Sequence, residues 1–258
     1  VPQTALQHFR EDIGRARAII AHADGLAGVT PAESMLRSDL LRSAWMFAVG
    51  AIDAYFSDAY ADIVAATALS KQRQSSITLP DSIQEIKVPI RAVLETYEGR
   101  DWRWRMAARE MVDATNFLSL DSIQKSFNPF FRKGHKFFGD KLDEWIQHPA
   151  SKIRLFGMST NDYLALGNAD RAKARDKTIY SQFRDRYKEL FQRRHDCIHN
   201  CDRPRIAPQK LERAGTVERV AHDAVFLVER CDDHITKEFR EFLLSCKASA
   251  TTIAQVGY

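Results

Sequence analysis

The stretch from Thr30 to Leu69 constrains the fold of this chain more than any other. It opens on Thr30-Pro31-Ala32-Glu33, which supplies an N-cap threonine, a proline at the first helical position and an acidic first turn. The pattern then predicts a helix to about Leu69, with room for a kink near Gly50. Ala44, Trp45, Phe47, Ala48, Val49, Ile52 and Tyr55 make it apolar on more than one face. A helix of that kind sits at the centre of a bundle or in a dimer interface.

The rest of the chain repeats the helical period. Leu6, Phe9, Ile13, Ala16 and Ile20 predict a helix over 5–23, ended by Gly25 and Gly28. After the polar connector 75–80, Asp81-Ser82 opens a helix towards Tyr97 that Pro89 must kink or end. Segment 100–111 reads as helical, and Leu120-Asp121-Ser122 starts a short helix holding Ile123 and Phe127. Residues 128–159 are irregular and aromatic-rich, and read as short helices and loops. Thr160-Asn161-Asp162 caps a helix or turn, and a basic helix follows from about Lys173 to Arg194. Its Ile179, Phe183, Tyr187 and Leu190 step by four, four and three. A loop over 201–215 carries Pro204 and Pro208, and Thr216 caps a last helix with Val220, Ala224, Leu227, Val228, Cys231, Ile235 and Phe239 on one face. No strand-like alternation is long enough for a sheet. The expected fold is an all-α helical bundle: an N-terminal helix and linker over 1–35, then a helical domain over 36–258 with an irregular helical and loop insertion at about 100–166.

A chain of 258 residues with 45% hydrophobic and 28% charged residues can bury a substantial core. Its best apolar window, 44–68, is interrupted by Asp53, Asp58 and Asp62, so no membrane association is expected. The opening Val1-Pro2-Gln3 has neither an initiator Met nor a signal-peptide pattern, and reads as lying inside a longer natural chain. Cys197, Cys201, Cys231 and Cys246 show no disulfide-framework spacing, which points to a reducing cytoplasm. The net charge of +4 is too weak alone to imply nucleic-acid binding. Its distribution says more: Arg171, Lys173, Arg175, Lys177, Arg184, Arg186, Lys188, Arg193 and Arg194 all precede His199. The interspersed Asp170, Asp176, Asp185 and Glu189 fit a solvated, salt-bridged helix equally well.

Within that run, Arg194 and His199 pair a fixed cation with a group titrating near neutral pH, a combination suited to phosphodiester cleavage. On an ideal helix five residues turn roughly 500°, which leaves the two side chains about 140° apart. The pair therefore needs a helix end or a second copy across a two-fold axis. A zinc reading competes, because His195 and His199 stand at i and i+4, with Cys231 and His234 as further ligands. Cys197 and Cys201 share that spacing but face elsewhere. No phosphate-binding glycine loop or nucleophile elbow occurs. Asp58 and Asp62 read as solvent-exposed, whereas Asp53 lies in the most apolar turn and calls for a partner. Trp102-Arg103-Trp104-Arg105 suits either base stacking or tryptophans packed inward with snorkelling arginines.

The run Arg193-Arg194-His195-Asp196-Cys197-Ile198-His199-Asn200-Cys201-Asp202-Arg203 resembles the signature of HEPN domains, an arginine and a polar residue followed by three residues and a histidine. It is most similar to the RiboL-PSP-like subgroup. Ala48 to Phe56, with Asp53 inside it, resembles the first core helix of that subgroup, and the last amphipathic helix stands in the expected place. The resemblance spans about 36–243. Asn200 and Cys201 depart from it, standing where relatives often have Arg and Ala.

The resemblance implies a metal-independent endoribonuclease without cofactor, acting as a homodimer. Arg194, His199 and His195 take the catalytic positions, with Asp53, Asn200 and Arg193 in support. His199 would take the proton of a ribose 2′-hydroxyl, Arg194 would stabilise the phosphorane, and His195 would orient the phosphate or shuttle a proton. The products would be a 2′,3′-cyclic phosphate and a 5′-hydroxyl. Such families serve as toxins or phage-defence effectors, with a neighbouring antitoxin or sensor subunit as a further partner. The alternatives are a non-catalytic RNA-binding or dimerisation module and an antitoxin-like interaction subunit.

Overall fold

The computed structural model describes residues 4–94, 102–112, 116–139, 141–200 and 213–258, the side chains at 92, 102, 199 and 200 excepted. Among these residues the chain is all-α, a helical bundle with no strand. None of the described helices is long and apolar enough to cross a membrane.

The long helix starts where its sequence says. Thr30 Oγ1 accepts the Glu33 N–H at 3.2 Å, and Glu33 Oε2 accepts the Val29 and Thr30 N–H groups at 3.0 and 3.4 Å. These contacts satisfy donors that the first turn leaves open. The helix spans Pro31–Arg73, one turn past the expected end. The chain divides into two compact units, Val1–Ala54 with Phe138–Arg230 and Tyr55–Phe137 with Cys231–Tyr258.

In the first unit the helix Ala5–Asp24 buries Ala5, Phe9, Ile13, Ala16, Ile20 and Ala23. Leu6, expected in that stripe, is half-buried and Ala5 takes its place. Arg10 and Arg17 tie this helix to Glu229 and Glu218 of the helix Ala214–Ser245, at 3.0 and 3.1 Å. The irregular middle contributes core here. Phe138, Trp145 and Phe156 surround Phe183 at centroid distances of 5.6 to 5.9 Å. Trp145 and Phe156 are carried by short helices, Lys141–Ile146 and Ile153–Phe156, Phe138 by the bend before them, and Thr160–Ala165 follows with Ser159 as its cap. Gly157 ends the second of them at φ 75°, a left-handed conformation natural to glycine. The expected basic helix is a longer helical run: Asn168–Ala174, a π-helical turn Arg175–Ile179, and Tyr180–Asn200.

In the second unit Phe56, Tyr60, Phe117, Phe127 and Phe130 form a ring cluster with neighbouring centroids 5.5 to 6.3 Å apart. The helix Trp102–Val112 corrects one expectation. Asp58 is 5% exposed and ion-paired with Arg109, and Asp62 accepts Arg105 Nε at 2.5 Å. Both aspartates were expected in solvent, but helical period cannot reveal that another helix covers their face. Trp104 Nε1 donates to Gln72 Oε1 at 2.8 Å, so this tryptophan is bonded within the unit. The helix expected from Asp81 to Tyr97 stops at Gln84 and resumes as Ile90–Leu94, and its expected end at Tyr97 lies outside the described residues. Pro89 lacks an N–H and disfavours helical geometry at the residue before it. The last long helix begins at Ala214 rather than after a Thr216 cap, and a six-residue helix Ala250–Gln255, too short for a periodic signal, follows it.

Candidate active site

The motif helix Tyr180–Asn200 is held by the stripe its sequence displays. Ile179, Phe183, Tyr187 and Leu190 are each fully buried. Trp45 adds a polar anchor, its indole N–H donating to the Leu190 carbonyl at 3.3 Å. Arg194 stands four residues after Leu190 and seven after Tyr187, so it extends the packed stripe at the helix end. It is half-buried and has no hydrogen-bond or ion-pair partner among the described residues.

Its neighbours are arranged differently. The Arg193 guanidinium lies 5.5 Å from the centroid of the Trp45 ring, a cation–π contact. His195 is exposed. Asp196 accepts Gln192 Nε2 at 3.0 Å, and Cys197 is buried. Residues 199 and 200 belong to the helix, and the backbone positions 194 and 199 are therefore about 140° apart around its axis. The side chains of His199 and Asn200 lie outside the described residues, as does Cys201.

Asp53 belongs to the same unit, on the helix Pro31–Arg73. It is half-buried between a fully buried Ile52 and an exposed Ala54, and it is not without a partner. For the zinc reading, His195 falls in the first unit and Cys231 and His234 in the second. Among the described residues no three His, Cys, Asp or Glu side chains group to hold a metal ion. His234 instead packs between the rings of Phe131 and Phe137, with centroids at 5.0 and 5.4 Å.

Sequence reasoning missed the charged cluster that fixes the first third of this helix. Asp223 is fully buried and receives two guanidinium groups. Arg154 reaches Oδ1 through Nη2 at 2.6 Å and Nε at 2.9 Å, and Arg186 reaches Oδ2 through Nε at 2.9 Å. Tyr187 donates to the Asp223 carbonyl at 2.8 Å. A second polar knot joins Tyr163, Asp143 and Arg175 beside a pocket of about 240 Å³. Burial first, then the Asp143 carboxylate, pushes the Tyr163 phenol up to about 12. Arg175 is also bonded to Asp176 at 2.7 Å. No local spacing announces either cluster, because their members come from separate elements.

Among known protein families, characterised proteins and solved structures, none matches this chain.

Proposed function

We propose that the chain is a metal-independent endoribonuclease of the HEPN type, working as a homodimer. One observation carries the reading: in a run of arginines fixed by other groups, Arg194 is left unpartnered among the described residues, five positions before His199. Arg175 and Arg186 are held by carboxylates and Arg193 by an indole ring. A half-buried guanidinium without a carboxylate is suited to receive a phosphate, which it can grip through two N–H groups.

In the proposed reaction His199, as neutral imidazole, removes the proton of a ribose 2′-hydroxyl. The 2′-oxygen attacks the adjacent phosphorus, and the bond from phosphorus to the 5′-oxygen breaks. Arg194 stabilises the charge that builds on the non-bridging oxygens. The leaving 5′-oxygen takes a proton from the protonated His199 of a second copy, and His195 orients the phosphate. The products are a 2′,3′-cyclic phosphate and a 5′-hydroxyl, and DNA is spared because it lacks the attacking hydroxyl. The 140° between positions 194 and 199 favours a site completed across a two-fold axis. Cys197, Cys231 and Cys246 are buried and form no disulfide among the described residues, in keeping with a reducing cytoplasm. Such an activity suits a toxin or defence effector restrained by a neighbouring antitoxin or sensor subunit.

The test incubates purified protein with RNA in EDTA and analyses the new ends. Cleavage to cyclic-phosphate ends that is lost in His199→Ala and Arg194→Ala is the expected result. Cleavage that survives both substitutions, or that requires added metal, overturns it. RNA retention with steep salt dependence and no cleavage would identify a binding module instead.

A further inference from the structure

The second unit carries a half-open cavity of about 350 Å³. Its walls are apolar: Val64 and Ala68 come from the helix Pro31–Arg73, Ile83 and Ile86 from the segment after Pro80, and Trp104 and Phe130 close the remainder. That space is more than twice the ~150 Å³ apolar cavity that holds a benzene molecule. It falls within the range of sites for small organic ligands, roughly 300–1,000 Å³.

Lys71 is the one charged side chain among the described lining residues, and it is exposed. Its ammonium donates to the Ser75 and Ile77 carbonyls at 2.6 and 2.7 Å, which leaves one of its three N–H bonds to offer. Next to it, Gln72 uses its Oε1 to accept from Trp104 and Arg103, at 2.8 and 3.2 Å. The Gln72 amide N–H groups have no partner among the described residues. Two donors, one of them cationic, thus stand at the wet edge of an apolar chamber with no carboxylate among its described lining residues. An anionic acceptor with an apolar body complements both features.

We propose that this cavity binds an amphipathic monocarboxylate of medium chain length, its hydrocarbon between Ala68, Ile83 and Phe130 and its carboxylate on Lys71. The hydrocarbon supplies affinity by leaving water, and the carboxylate sets orientation by taking the spare ammonium N–H. The cavity's described lining residues all belong to the second unit, and Arg194 is not among them.

Isothermal titration of the whole chain with decanoate, decanol and acetate tests the inference. Decanoate is expected to bind one per chain, decanol about tenfold more weakly, and acetate not measurably. Lys71→Met should bring decanoate down to the decanol level, whereas Lys71→Arg keeps the preference. Ala68→Phe, which fills the chamber, should abolish binding of both long-chain ligands. Should that variant melt early, Ile83→Trp fills the chamber from the opposite wall. No heat with decanoate, acetate binding as well as decanoate, or unchanged binding in both filled variants overturns the proposal.

Discussion

The two ends of the helix Tyr180–Asn200 treat their arginines in opposite ways. Arg186 is 14% exposed and locked onto the fully buried Asp223, alongside Arg154. Arg194, two turns later, has no such carboxylate among the described residues. The same residue type on one helix is thus a structural cross-link at one end and an available cation at the other. A paired arginine is already neutralised and its donors are used, so it offers little to a phosphate. An unpaired one keeps both charge and fork. The contrast makes separate demands on stability and on activity, and each can be broken independently.

The largest effect is expected at the locked end. Replacing both Arg154 and Arg186 by Met leaves Asp223 buried without a counter-charge, which costs about 3–5 kcal/mol in unfolding free energy by urea titration. Arg186→Met alone should cost clearly less, because Arg154 still reaches Oδ1. A double variant that loses under about 1 kcal/mol would show that the carboxylate escapes to water or is protonated at little cost.

At the open end the expected loss is in rate. Arg194→Ala should slow RNA cleavage about 10²- to 10³-fold, the range for removing one donor to a developing oxyanion, with the melting temperature unchanged. Arg186→Met, assayed below its own melting temperature, should keep the wild-type rate. If Arg186→Met loses rate while Arg194→Ala does not, the assignment of the two arginines is reversed.

How much of this contrast was legible in the sequence follows from distance along the chain. Features made by residues within a turn or two were readable: the Thr30 cap with Glu33, the buried stripe through Leu190, and the break at Pro89. The Asp223 clamp was not, since its arginines lie 69 and 37 residues away. Asp58 failed for the same reason, because its partner Arg109 belongs to another helix. The aromatic middle gave no period, yet its rings pack in both units: Phe130 and Phe137 in one, Phe138 and Phe156 in the other. Phe130 and Phe156 sit on helices of three and four residues and Phe137 and Phe138 on a bend, all too short to repeat a helical face. At the site, the order Arg194 to His199 could be read, whereas the freedom of Arg194 required knowing which carboxylates its neighbours had taken.

The second unit has a clamp of its own, and its acid response compares with that of Asp223. Glu238 is 1% exposed and accepts Arg132 through both oxygens, with His135 Nδ1 3.3 Å away. Burial alone would raise this carboxyl, but the Arg132 hydrogen bonds, then the His135 and Arg132 charges, outweigh it and hold the group below the ordinary glutamate value of 4.5. A carboxyl depressed in the folded state contributes stability above its unfolded value, and that stability is lost as pH falls through the folded one. Arg132→Met should therefore lower the melting temperature most near neutral pH, and the difference should shrink below about pH 4.5. A difference independent of pH would mean that Arg132 acts through packing of its stem rather than through charge.

The smallest predicted effect separates the two adjacent arginines of the motif. Arg193 faces the Trp45 ring, and Trp45 is itself bonded to the Leu190 carbonyl, so the pair braces the last turns of the helix that carries Arg194. Lysine keeps the charge but presents a compact ammonium in place of a flat guanidinium that stacks on the indole. Arg193→Lys should then cost about 0.5–1 kcal/mol of stability and leave the cleavage rate within about twofold of wild type. Arg193→Gln should cost the same or more, because the cation is gone altogether. A large rate loss in Arg193→Lys with unchanged melting would instead assign the phosphate to Arg193, and the open end of the helix would then hold two working cations.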